Sequence, residues 1–268
     1  MITKEKIYDY IDKIPPVPQN LIRCIDFLNK DDLTGASNIA TKEKPLVNYL
    51  IKTVNRPIFG FKNRIENVTQ IFGILGLDTA KQIIYAYLMT LLIPQKWKVF
   101  DLDNTAFAKL QSEFIYYWNE ILEFEGRKND SLEIAVNFIP ASIFVAEEMF
   151  KENYEDFMIL RQVKEINYND LLQKFTNLNL FDISALICEK WEMDRPIIKL
   201  IKDLGKEDAS DPKNGQLVRY MHLLTFYEFS KPEFIKAGLN DFIEFNPAFV
   251  EEIYENFNKI TGIHETSN

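Results

Sequence analysis

The stretch "IATKEKPLVNYLIKTVNRPIFG", residues 39–60, decides the fold. Pro45 suits the first turn of a helix, where its missing N–H would have no partner in any case. The apolar run "PLVNYLIKTV" then ends at Asn55, a residue that tolerates a left-handed cap, and "RPIFGF" turns the chain. A proline-started helix closed by an asparagine and a turn is therefore expected here. Helical spacing continues on both sides, and no run alternates as a half-buried strand would.

Upstream, "KEKIYDYIDKI" places Ile7, Tyr8, Ile11 and Ile14 on one face and stops at the proline-rich "PPVP". Pro18 is read as the first residue of the next helix, with Leu21, Ile25 and Leu28 inward. "DDLTGASNIATKE" begins another short one. Downstream, "VTQIFGILG" ends at Gly76, and Asp78 is placed to cap the apolar helix that follows. Phe107, Leu110, Phe114, Tyr117 and Ile121 line a long helix closed by Gly126.

In "DSLEIAVNFIPASIFVAEEMF", Asp130 and Glu133 have capping-box spacing, and Pro140 is expected to bend or interrupt an otherwise buried helix. "ISALICEKWEMDRPIIKLIKDLG" reads as two short helices parted near Asp194 to Pro196. Two more follow in "NGQLVRYMHLLTFYEF" and "PAFVEEIYENFNKI", the latter started by Asn246 and Pro247. The expectation is an all-α protein of two packed helical sets, 14–98 and 99–205, with a helical extension over 206–268.

Bulk properties narrow the function classes. The 268 residues suffice for a substantial core. A formal charge of -9 argues against a nucleic-acid binder, which needs a dominant basic face. The apolar run "IIYAYLMTLLIP" is about a dozen residues, against the ~18 to 20 that span a bilayer. No secretory leader is legible at the N-terminus, so a cytoplasmic setting is expected, with Cys24 and Cys188 as small core residues.

The residues for chemistry are scarce. Only His222 and His264 are present, 42 positions apart, without a second ligand at helical spacing. "GILG" lacks the Lys-Ser or Lys-Thr of a phosphate loop, and no nucleophile elbow occurs. No catalytic residue, metal ligand or cofactor is assigned. Between 42 and 64, however, Lys42, Lys44, Lys52, Arg56, Lys62 and Arg64 face a single acid, Glu43, a local balance of +5 in an acidic chain. This stretch is either a solubilising face or one that steers an acidic partner or anionic ligand.

Taken together, "IPPVPQNLIRCIDFLN", the stretch 39–60 and "IENVTQIFGILGLDTAKQII" resemble the HDOD family, the HD-related output domain of bacterial signalling proteins. The resemblance rests on Ile14 to Pro18, on Pro45, Leu46 and Asn55, and on Ile71, Leu75 and Gly76. "ALICEKWEMDRPI" is similar to the family's tryptophan-containing helix turn, with Trp191 as anchor. Lys44 stands where the family usually has Asp, and Arg56 where it usually has Ser.

The resemblance implies a helical fold related to the HD phosphohydrolases, whose metal site uses a His, a His-Asp pair and a further Asp. Here the helix for the first His reads "KLQSEF" around Gln111, and the His-Asp region falls on "NFIPASIF", which has neither residue type. "IKLIKDLG" contains Asp203 but no histidine. The expectation is a stand-alone, non-enzymatic regulatory module that binds a protein partner or a small signalling ligand. The alternative is a degenerate phosphohydrolase that retains a nucleotide pocket between its helical sets.

Overall fold

The computed structural model describes residues 2–127, 131–206 and 213–262; Asp130 and His264 lie outside them. Regular structure among the described residues is entirely helical. The first five helices are α1 (Lys4–Asp12), α2 (Gln19–Leu28), α3 (Leu33–Ala40), α4 (Lys44–Val54) and α5 (Val68–Thr90). The middle of the chain forms α6 (Asn104–Phe124), α7 (Ala141–Lys151), α8 (Tyr154–Lys164), α9 (Tyr168–Thr176), α10 (Leu180–Lys190) and α11 (Arg195–Asp203). α12 (Gly215–Phe229), α13 (Pro232–Lys236) and α14 (Pro247–Thr261) complete the fold, and 3-10 turns lie at Pro57–Phe59, Ser131–Phe138 and Leu239–Phe242.

Most helix starts follow from short polar caps and prolines. Asp32, Asn67, Asp103 and Asn246 each accept a hydrogen bond from a first-turn amide, and Pro45, Pro196 and Pro247 sit within the first turn of their helices. Pro18 is instead the cap before α2, because its ψ of 139° is extended. In α1 the buried face is Ile7 and Ile11, joined by Ile14 beyond its end, whereas Tyr8 is 39% exposed. A stripe at i, i+4 and i+7 leaves its i+1 neighbour on the flank.

α5 is broken at Gly76, whose φ of 72° and ψ of -178° belong to a region essentially closed to other residues. α5 packs beside α3 and α4, and the segment after the break carries Ile83, Ile84, Ala86 and Met89 into the core. Around Pro140 the structure differs from a bent α-helix. The residues before it form the eight-residue 3-10 turn Ser131–Phe138, and Pro140 caps α7. The missing proline N–H makes this a natural restart point.

The buried side chains form one connected cluster from Ile2 to Phe257. α12 packs against α6, α11 and α14, so residues beyond 213 share this core. Cys24 and Cys188 are free and fully buried within it, as small apolar residues. Three distant motifs meet at Trp191. Its indole N–H donates to the Pro15 carbonyl at 3.1 Å, and its ring meets that of Phe138 with centroids 6.4 Å apart. No helix among the described residues is long and apolar enough to cross a membrane.

Candidate ligand-binding cleft

A cleft of about 1320 Å³ opens between the C-terminal half of α4, the Pro57–Phe59 turn, the end of α5 and the start of α6. Its apolar lining is Tyr49, Pro57, Ile58, Ile93 and Pro94. Lys52, Arg56 and Lys109 supply positive charge against one carboxylate, Glu113, a balance of +2 in a chain of -9. Low-dielectric walls with charge of one sign focus a field into such a cleft.

The sequence explains how Arg56 is presented. Asn55 ends α4 with φ -86° and ψ 10°, not in the left-handed conformation expected of it. Its side-chain amide acts instead: Nδ2 donates to the carbonyls of Ile51 and Ile65, both at 2.7 Å, and Oδ1 accepts from the Ile65 N–H at 2.8 Å. One side chain thus closes the loop from 55 to 65, with Arg56 at its root. Burial lowers the guanidinium pKa from its ordinary value, while Tyr49 and Glu113 nearby raise it. An arginine remains charged regardless.

The Tyr49 hydroxyl is committed to an internal bond. Tyr49 donates its hydroxyl proton to Gln111 Oε1 at 3.3 Å, and Gln111 Nε2 donates to the Ala86 carbonyl at 3.1 Å. Burial pushes the Tyr49 phenol pKa upward. Gln111, at the place implied for a first metal-binding histidine, is buried and holds α6 to α5. The place implied for the His-Asp pair is core: Phe138 and Ile139 have no exposure, and Asn137 Nδ2 donates to the Ile134 carbonyl at 3.2 Å. Asp203 pairs with Lys206 at 2.5 Å. No group of three or more His, Cys, Asp or Glu among the described residues could hold a metal ion.

Of the basic stretch, the structure brings only Lys52 and Arg56 to the cleft. Lys42, Lys44 and Lys62 are exposed and outside the cleft lining, and Arg64 pairs with Glu66 at 2.9 Å on the surface. Lys109 comes from α6, far along the chain. Behind it lies an ionic network shared with the C-terminal helices: Lys109 bonds Glu233, and Lys231 Nζ reaches Glu113 at 3.0 Å and both oxygens of Glu228 at 2.8 and 2.9 Å. The Lys231 ammonium also lies 4.8 Å from the Tyr227 ring and 5.4 Å from that of Tyr117.

His222 is half-buried, with its ring edge-on to Phe249 at 5.2 Å. The backbones of Leu204 and Glu244 lie near the imidazole, but neither ring nitrogen makes a hydrogen bond of ordinary geometry.

The helical architecture, with a cleft at the junction of α4, α5 and α6, defines an HD-related helical module. The model of the HDOD domain matches residues 14–204, and the chain belongs to the HDOD family. An HDOD domain protein of unknown function from Geobacter sulfurreducens has a similar structure, with a TM-score of 0.63 at 12% identity over 96% of this chain and 95% of that one. A protein from Shewanella amazonensis SB2B, named provisionally as a phosphohydrolase, gives a TM-score of 0.63 at 12% identity over 97% and 95% of the two chains. These likenesses show the fold alone. No curated protein matches the chain in sequence.

Proposed function

We propose that this HDOD chain is a non-catalytic bacterial regulatory module, working in the cytoplasm by binding a small signalling ligand or a protein partner. The observation that carries this is the use made of the places implied for a metal set. Gln111 is spent on the Ala86 carbonyl, and Phe138, Ile139 and Pro140 are spent on packing around Trp191 and the core. An amide and apolar side chains cannot replace imidazole and carboxylate as ligands of a divalent cation. The cleft beside Tyr49 and Arg56 is concave, part apolar and part charged, as ligand sites commonly are.

The second reading, a degenerate phosphohydrolase with a nucleotide pocket, draws on the same cleft and on the name given to the Shewanella protein. The two separate under one assay. The purified chain is incubated with p-nitrophenyl phosphate and its bis-ester in Mg²⁺ or Mn²⁺, with thermal unfolding followed in parallel. A regulatory module gives no turnover above the metal-only control and no metal-dependent stabilisation. Turnover, or stabilisation by metal exceeding about 1 kcal/mol, overturns the non-catalytic reading.

A further inference from the structure

Four arginines of this chain are half-buried: Arg56, Arg127, Arg161 and Arg219. Three of them have acceptors. Arg127 donates to Asn214 Oδ1 at 3.2 Å, Arg161 pairs with Asp241, and Arg219 pairs with Glu252 at 2.7 Å. The Arg56 guanidinium is the exception: among the described residues it has no hydrogen bond and no ion pair, and the Lys52 ammonium, four residues earlier, has none either. Taking a cation partly out of water without an acceptor costs free energy, so a fold that keeps one beside an open cleft has left room for an anion.

Glu113, which could have served Arg56, is held by Lys231 at 3.0 Å and lies 3.8 Å from Lys109. The lining charge of +2 matches a phosphate monoester, which carries about -1.5 to -2 near neutral pH. A carboxylate would leave one cation uncompensated. The planar guanidinium fork suits phosphate oxygens, and an adjacent ammonium adds a point charge. The apolar part of the lining would be left in water by inorganic phosphate alone.

We propose that the cleft is the seat of a phosphorylated small molecule, its phosphate on Arg56 and Lys52 and its apolar or aromatic body against Tyr49, Ile93 and Pro94. This rests on the binding function proposed above and names its ligand class.

The test uses the full chain and calorimetric titration with inorganic phosphate, adenosine 5′-monophosphate, glucose 6-phosphate, pyridoxal 5′-phosphate, their dephosphorylated counterparts and hexaglutamate. A phosphate ester should bind where its dephosphorylated counterpart does not. Arg56→Gln and Lys52→Gln should each weaken that ester about tenfold or more, with wild-type circular dichroism, while Lys30→Gln in the exposed turn after α2 changes nothing. Failure of every ester, capture of hexaglutamate alone, or undiminished binding by Arg56→Gln overturns the proposal. Loss of binding leaves the non-catalytic reading standing on Gln111 and Phe138. An ester that is bound and turned over supports the seat and sinks only that reading.

Discussion

Lys231 holds Glu228, a residue with no solvent exposure, through both carboxylate oxygens at 2.8 and 2.9 Å. The same ammonium reaches Glu113 on α6, so one lysine joins the C-terminal helices to the cleft wall. Replacing it with methionine keeps the stem's packing and leaves Glu228 without its partner, while Glu113 keeps Lys109 at 3.8 Å. Lys231→Met should cost about 1–3 kcal/mol in urea unfolding, because the buried Glu228 loses the donor to both its oxygens and must keep its proton. A cost below about 1 kcal/mol would mean the network is not holding these helices.

Burial pushes the Glu228 carboxyl up to about 8, with Lys231 pulling the other way. Between its ordinary 4.5 and that value, the folded protein keeps a proton that the unfolded chain has released. The stability this gives is complete below 4.5 and is lost as pH rises towards 8. Glu228→Gln imitates the protonated form at every pH. Its stability relative to wild type should therefore improve steadily between pH 5 and 8 in denaturant titrations.

His222 contributes the opposite slope. Burial lowers its pKa from 6.5, so its contribution is full above 6.5 and is lost as pH falls below it. His222→Leu should remove the acid-side loss between pH 6.5 and 5, measured in the Glu228→Gln background to separate the two groups.

Gly76→Ala probes the break in α5. A Cβ there meets nothing within 4 Å, so the penalty is backbone strain at φ 72° and not a clash. A loss of about 1–3 kcal/mol is expected, and a neutral result in thermal unfolding would show that α5 straightens without harm.

Asn55→Ala removes three hydrogen bonds that close the 55–65 loop. A loss of about 1–3 kcal/mol follows from leaving the Ile65 amide and carbonyl without their partner, while the Ile51 carbonyl keeps the Asn55 backbone N–H. Unchanged melting would show that the loop closes without it.

The helices that start at prolines or short polar caps were legible in the sequence, since those signals act within one turn. α8 and α9 carry weaker local signals. Ile159 and Val163 leave α8 without a clean buried stripe, being 61% and 70% exposed, and the start of α9 is an Asn167–Asp170 capping box that carries Asn in place of Ser or Thr. The core character of "NFIPASIF" was legible from composition alone. Half of the cleft was legible too, as Lys52 and Arg56 within a basic run. Lys109 and the Glu113–Lys231–Glu228 network were not, because Lys109 bonds Glu233 across 124 positions and Lys231 reaches Glu113 across 118, and only tertiary packing brings them together. Asn55 was read by its backbone preference, whereas the side-chain amide proved the stronger influence.

Trp191 donating to Pro15 spans 176 positions of the chain. Lys190 beside it donates to the Asp12 carbonyl at 2.9 Å. The first turn of the HDOD region and its penultimate helix therefore share a fastening, and neither can fray without loosening the other. In amide exchange, α1, α2 and α10 would open together as one cooperative unit, which makes the chain's early residues report on events near its domain's end.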